Sequence, residues 1–332
     1  MPPKERQLIA RIRRLAGKQA HRGVIGIGDD CAVLGLPPGD EVLLTTDFSL
    51  EGVHFRREWH PPDAVGHRCL ARGLSDIAAM GGKPRAAFLS LALPATIEER
   101  WVNRFLSGFL TLARRHSVIL AGGDTAQSPD GILHPSEGKT GLRRGPRVLT
   151  DIVVLGSVPA GKAVLRSGAR PGDLIYVTGS LGAALADLNR LQKGEKLRPA
   201  SHRKHFYPEP RIAVGEYLRE HKLASAMIDI SDGLSTDLSH ICEESGVGAV
   251  IHADAVPKAI RSEEGLQLAL HGGDEYELLF AARPSCRVPK RIASVAVTQI
   301  GEIVRGKQMR LTPASGRNKE LLARGWEHFS GE

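Results

Sequence analysis

Carboxylates recur along this chain in six short motifs. They are Gly26-Ile-Gly-Asp-Asp30, Thr45-Thr-Asp47, Leu74-Ser-Asp76, Gly122-Gly-Asp-Thr125, Ile228-Asp-Ile-Ser-Asp-Gly233 and Gly272-Gly-Asp-Glu-Tyr276. Most carry a glycine or small residue beside the acid. Hard cations such as magnesium take oxygen ligands, usually one or two carboxylates completed by phosphate and water. Acids far apart in sequence but gathered in space repel one another unless a cation lies between them. Convergence of these motifs therefore implies divalent metal bridging to a polyphosphate. Singly, each has an ordinary reading. Asp29 and Asp30 suit a turn, Asp47 a solvated strand end, and Asp76 an ion pair with Arg72 four residues earlier on a helix. Asp232 suits a helix N-cap, which leaves Asp229 unexplained. Asp274 and Glu275 could simply begin a strand. Asp124 stands out, because two glycines following an apolar strand leave backbone amides open to phosphate. His54 draws interest by its closeness to Asp47; a half-buried histidine beside a strand explains its position equally well.

These motifs must be positioned by regular elements. Residues 4–16 carry Leu8, Ile9, Ile12 and Leu15 at helical spacing. Short apolar runs predict strands at 42–46, 88–93, 118–121, 152–156, 174–178, 227–230 and 277–281. Helices are predicted at 64–80, 98–115, 181–191, 210–220 and 235–244. The alternation predicts an α/β fold with helices covering sheets. Residues 127–147, rich in proline and glycine, form the best linker or lid, and the domain boundary is expected just after it.

Composition narrows the function classes. The chain has 332 residues, 42% hydrophobic and 25% charged, enough for two domains with cores of their own. Its net charge of +8 comes from dispersed basic residues, and aromatics are only 5%. Few stacking platforms argue against nucleic acid, and a basic field suits anionic phosphate ligands. Four widely spaced cysteines form no disulfide framework or zinc motif and fit a reducing cytoplasm. No leader pattern opens the chain, and no apolar run approaches the ~20 residues that span a bilayer, so no membrane association is expected. A G-x-x-x-x-G-K-[ST] loop, a dinucleotide fingerprint, a G-x-S-x-G elbow and an H-E-x-x-H pair are all absent from the sequence.

Taken in order, the motifs resemble those of the thiamine-monophosphate kinase family. The likeness runs through GIGDDCAVL (26–34), LLTTDFSLEGVHF (43–55), LSDIAAMGGKP (74–84), ILAGGDT (119–125), LRSGARPGDLIYVTG (165–179), PEPRIAVG (208–215), AMIDISDGLSTDL (226–238), GGDEYELLF (272–280) and GWEHF (325–329). The resemblance implies ATP-dependent phosphorylation of thiamine monophosphate to thiamine diphosphate. It also implies mixed α+β sheets in the two-domain fold shared with aminoimidazole ribonucleotide synthetase and selenophosphate synthetase. In that frame residues 1–158 form an ATP- and magnesium-binding sheet domain that dimerises, with 127–147 an inserted loop. Residues 159–332 form an α/β domain completing the substrate site. The resemblance further implies Asp30, Thr45, Thr46, Asp47, Asp76, Asp124, Asp229 and Asp232 as Mg²⁺ ligands. Gly123, Asp124, Arg166 and Ser231 are implied as ATP contacts, and His54, Asp274 and Trp326 as contacts to thiamine phosphate. Asp124, Arg166 and Asp232 would act on the transferring phosphoryl group. Such transfer needs alignment and charge neutralisation more than covalent catalysis.

Three features depart from the family pattern. Gly73 stands where an asparagine is usual, the acids at Asp274-Glu275 are in swapped order, and the loop after Asp124 is long. The swap leaves Glu275 as an alternative acceptor contact and the loop as a basic flap over the nucleotide. Rival readings are another ATP-dependent enzyme of the superfamily and a catalytically weak nucleotide-binding relative.

Overall fold

The computed structural model describes residues 5–17, 24–27, 31–129, 147–313 and 318–328. They divide into two units, Met1–Gly73 with Pro84–Ser157, and Leu74–Lys83 with Val158–Glu332. The first contains α1 (Glu5–Ala16), β1 (Val24–Ile25), β2 (Val33–Leu34), β3 (Asp40–Leu50), most of α2 (Pro62–Ala79), β4 (Lys83–Leu93), α3 (Glu99–Arg115), β5 (Ile119–Gln127) and β6 (Leu149–Pro159). β1 and β2 pair antiparallel. The remaining strands form one sheet in the order β3-β6-β4-β5, with β4 and β5 parallel. α3 buries Val102, Phe105, Leu106, Phe109, Leu110 and Ala113, one stripe at three- and four-residue spacing. It meets α2 at two glycines: a Cβ on Gly66 would lie 2.0 Å from the Phe105 carbonyl, and one on Gly108 1.9 Å from that of Asp63.

The second unit contains β7 (Leu174–Thr178), α4 (Ala183–Gln192), α5 (Arg203–Phe206), α6 (Ile212–Glu220), β8 (Ala226–Asp229), α7 (Leu234–Ser245), β9 (Gly248–His252), α8 (Glu263–His271), β10 (Leu278–Ala282), β11 (Arg291–Ile292), β12 (Val295–Val304), β13 (Met309–Thr312) and β14 (Lys319–Glu320). Its sheet runs β14-β13-β9-β12-β7-β10-β8, with β11 added to β12. The pair β13–β9 is parallel and β10–β8, β10–β7, β12–β7 and β12–β9 are antiparallel. Ile175, Val177, Ile228, Leu238, Ile251, Leu279 and Ile300 lie in one buried cluster, bringing β7, β8, α7, β9, β10 and β12 together. The architecture is the mixed α/β class expected from the alternation of patterns.

Strands predicted from apolar runs are present, and most extend further than the runs. β3 and β4 each reach eleven residues, because ladder hydrogen bonds continue where side-chain patterning weakens. β9, α8 and β12 were not read from the patterns. In β12 the register shifts between Gln299 and Gly301, and this irregularity breaks the two-residue period. α8 starts at Ser262, whose hydroxyl accepts the Gly265 amide at 3.0 Å, a cap without a strong apolar repeat behind it. Of the loop 127–147, residues 130–146 lie outside the described residues.

Candidate active site

The second unit gathers most of its predicted site residues around the turn between β8 and α7. All four residues of β8 are buried, and the strand ends on Asp229, only 4% exposed. Asp229 Oδ2 accepts a hydrogen bond from Ser75 Oγ at 2.6 Å, and Asp76 follows, half-buried. The turn then passes through Ser231, Asp232 and Gly233. Their three amides donate to a single oxygen, Asp237 Oδ2, at 3.1, 3.2 and 3.0 Å. Asp232 was read as a possible N-cap. Gly233 occupies that position instead, and the carboxylate serving the amides comes from the first turn inside α7. Burial, followed by the charges of Asp229 and Asp232, pushes the Asp237 carboxyl up to about 8, against the pull of the Gly233 and Asp232 amides. Asp232, Asp237 and His240 each offer one ligand atom, all within 4.8 Å of one another.

The segment before β10 lies against this turn. Asp274 donates its amide to the Ser231 carbonyl at 2.7 Å, and Tyr276 to that of Ile230 at 2.9 Å. Asp274 and Tyr276 both have left-handed backbones, with φ of 59° and 51°. Such conformations cost energy outside glycine and concentrate at functional sites. Tyr276 Oη donates to Asp274 Oδ1 at 2.7 Å. The C-terminal segment closes the arrangement, because the Trp326 amide donates to the Asp232 carbonyl at 2.9 Å. The indole itself is 51% exposed, with His328 edge-on at 5.5 Å. Asp229, Ser231, Asp232, Asp274 and Trp326 are thus brought together by backbone hydrogen bonds.

Glu275 does not join them, which corrects the reading of it as an alternative acceptor contact. It is buried, and its Oε1 accepts the Gly182 and Ala184 amides at 2.7 and 3.1 Å, at the start of α4. Lys204 Nζ lies 3.8 Å from Oε2. Burial raises the Glu275 carboxyl to about 7 from 4.5, although Lys204 and the two amides pull it down. The native state therefore holds a proton that the unfolded chain has released. The resulting stability is present below the unfolded value near 4.5 and is lost as pH rises through about 7. Glu275→Gln keeps an oxygen for the amides and removes the titration. Thermal melts of this variant should lose less stability than the parent between about pH 5 and 8; equal slopes would contradict the assignment.

Arg166 is placed elsewhere in the unit. It is exposed, and its carbonyl accepts Ser245 Oγ at 3.1 Å, at the last residue of α7. Ser245 lies eight residues beyond Asp237 on the same helix, a separation of roughly 12 Å along its axis.

In the first unit, alternation along β3 divides the predicted triplet. Thr45 and Asp47 share one face with Leu43, and Thr46 lies on the other. Thr46 Oγ1 donates to Asp151 Oδ1 at 2.8 Å, so the two threonine side chains point apart. Asp47 Oδ1 lies 3.6 Å from Arg72 Nε, the arginine that spacing alone assigned to Asp76. His54 Nδ1 accepts the Leu50 amide at 3.0 Å, which places the neutral ring's proton on Nε2. Gly122 to Thr125 lie within β5, paired to Phe88–Leu91 after a register shift, and do not form the open loop expected from the two glycines. Gly123 has φ of 142°, and a Cβ there would sit 1.9 Å from the Leu89 carbonyl. Asp124 is exposed, with Oδ1 accepting the Thr125 amide at 2.8 Å. A cleft of about 750 Å³ is lined by Ile9, Ile12, Phe88, Leu120, Gly123 and Asp124. The departure at Gly73 has a packing cause, since a Cβ there would meet Val154 Cγ2 at 2.6 Å. Asp29 and Asp30 lie outside the described residues.

Asp237, Ser75 and Asp151 were missed by the sequence reading. The first was legible as an acid four residues beyond the glycine of the Asp-Gly turn; the other two carry no local signal.

Two family models match the chain: AIR synthase related protein, N-terminal domain, over residues 28–142, and AIR synthase related protein, C-terminal domain, over 170–313. The fold and the acidic turn thus belong to an AIR synthase related class of two-domain proteins. The chain is 38% identical to thiamine-monophosphate kinase of Salmonella typhimurium, covering 83% of this chain and 81% of that protein. It also matches the crystal structure of thiamine-monophosphate kinase from Stenotrophomonas maltophilia K279a at 34% identity and a TM-score of 0.76, over 92% of this chain and 95% of that one. AaThiL complexed with AMPPCP and TMP matches at 27% identity and a TM-score of 0.73, over 99% of both chains. This chain belongs to the thiamine-monophosphate kinase family.

Proposed function

We propose that the protein transfers the terminal phosphoryl group of ATP to thiamine monophosphate, forming thiamine diphosphate and ADP. The observation that carries this reading is the Asp229–Asp232 turn, joined by hydrogen bonds to Asp274 on one side and Trp326 on the other. Carboxylates for the phosphate end and an exposed indole for a flat cationic ring are thus linked through one short backbone segment. The relative AaThiL, complexed with AMPPCP and TMP, agrees with this pairing of ligands.

Magnesium is part of the proposal. Burial first, and then the charges of Asp229 and Asp232, push Asp237 up to about 8, and a divalent cation would relieve the charge repulsion. Their hard oxygen donors fit Mg²⁺. As the resemblance implies, Asp30, Thr45, Thr46, Asp47, Asp76, Asp124, Asp229 and Asp232 would be the Mg²⁺ ligands. A bound ion would neutralise charge between donor and acceptor phosphates. Gly123, Arg166 and Ser231 would hold ATP, with His54 Nε2–H and Trp326 orienting the acceptor. The acceptor is already an ionised phosphate, so no residue is assigned as a general base. Residues 1–158 would bind ATP and magnesium, and residues 159–332 would complete the substrate site, as the resemblance implies. No helix of the described residues is long and apolar enough to cross a membrane, and a cytoplasmic location fits the free cysteines.

A homodimer is also proposed. Among the described residues β3 is an edge strand, and its outward face exposes Val42, Leu44 and Phe48 by 52%, 68% and 62%. A bare apolar edge of this kind calls for a partner strand or sheet. Phe48→Asp should shift the protein to monomers in sedimentation; an unchanged dimer would place the interface elsewhere. The reaction itself is tested by following thiamine diphosphate and ADP from Mg·ATP and thiamine monophosphate.

A further inference from the structure

We propose that Asp237 is a positioning residue for phosphoryl transfer: its buried carboxylate fixes the turn that presents Asp229, Ser231 and Asp232. This inference rests on the kinase reading above. It comes from the backbone hydrogen bonds of residues 230–233. Ile230 donates its amide to Glu277 O at 2.8 Å and accepts from the Tyr276 amide at 2.9 Å. The Ser231, Asp232 and Gly233 amides all go to Asp237 Oδ2. The Ser231 carbonyl accepts from Asp274, that of Asp232 from Trp326, and that of Gly233 from the Asp237 amide at 2.9 Å.

Two consequences follow. Three consecutive amides converging on one point form a nest of the kind that usually cradles a phosphate. Here the protein's own carboxylate fills it, so Ser231 meets ATP through its hydroxyl and not its amide. Ligands are then met by side chains whose directions are set by a turn with no backbone group to spare. Ordinary capping needs one acceptor for one or two amides. Asp237 accepts three amides and returns its own amide to the same turn, so one side chain satisfies every amide of residues 231–233.

Asp237→Asn tests this. Its amide group replaces one carboxyl oxygen with an N–H donor, so the three converging amides face at most one acceptor oxygen with a donor beside it. The expected result is a 10- to 100-fold rise in the Mg²⁺ concentration for half-maximal activity, with a lower kcat, as for other groups that orient metal ligands. Ser262→Ala, which removes the cap of α8, is the control; it should lower the melting temperature and leave kcat and the Mg²⁺ dependence unchanged. Should Asp237→Asn not fold, Asp237→Glu retains the carboxyl group one methylene out of place, and the same rise in Mg²⁺ requirement is expected of it. Wild-type kcat and Mg²⁺ dependence in a folded Asp237 variant would overturn the proposal, as would equal kinetic losses in Ser262→Ala. If the parent protein makes no thiamine diphosphate, the kinase reading fails separately. Calorimetric binding of Mg·ATP then decides, and unchanged affinity in Asp237→Asn would sink the positioning role.

Discussion

Asp124→Asn is expected to lower kcat by about 10³-fold, the usual loss when one charge-stabilising group leaves a transition state. The substitution isolates charge from structure. Asp124 is exposed on β5, and its Oδ1 accepts the Thr125 amide at 2.8 Å. Asparagine supplies the same acceptor atom, so the strand and the tight packing of Gly123 against Leu89 persist. Stability should therefore stay within about 0.5 kcal/mol of the parent, as for most surface changes. Steady-state kinetics and a thermal melt on the same sample separate the two effects. Turnover equal to the parent would remove Asp124 from the phosphate site.

Arg211→Met should give the largest stability effect. Glu277 is fully buried beneath the acidic turn, and Arg211 Nε and Nη2 each donate to one of its oxygens at 2.7 Å. Thr178 adds a third bond at 2.7 Å and Lys204 a fourth at 3.3 Å. Burial alone would raise the Glu277 carboxyl, but the hydrogen bonds and charge of Arg211 overcome it and hold the group below its usual value. Removing Arg211 leaves a buried carboxylate with much of its compensation gone, at a cost of about 3–5 kcal/mol. Urea denaturation would show this as a lower midpoint. The double variant Arg211→Met with Glu277→Leu should recover part of the loss, since it removes the stranded charge as well. A single variant as stable as the parent would mean that Thr178 and Lys204 suffice. Because the Glu277 carbonyl receives the Ile230 amide, this network also supports the floor of the turn.

Much of the architecture was legible in the sequence because apolar runs and glycine breaks mark buried strands directly. β7 lies at 174–178 as the pattern predicts, and α3 follows its amphipathic stripe. β12 was not legible, since its bulge at Gly301 interrupts the alternation. The acids of the turn were legible as types and spacing, but their division of labour was not. Asp237 and Asp232 are both aspartates near a helix start; only the fold shows that the amides converge on the former. The same limit applies at Asp274 and Glu275. With left-handed residues on either side of Glu275, the Asp274 amide meets the Ser231 carbonyl while the Glu275 carboxylate meets the α4 amides, and φ values are not written in residue identity. Gly122-Gly123 misled for a related reason. A pair of glycines suggests an open loop, whereas here they let β5 pass close to Phe88 and Leu89 while pairing continues. The vacancy of a side chain at Gly73 becomes intelligible only beside Val154.

The most direct test is product formation. Purified protein incubated with Mg·ATP and thiamine monophosphate should yield thiamine diphosphate and ADP in equal amounts, and chelation of the metal should stop both. ADP without thiamine diphosphate, or neither product despite bound nucleotide, would contradict the assignment.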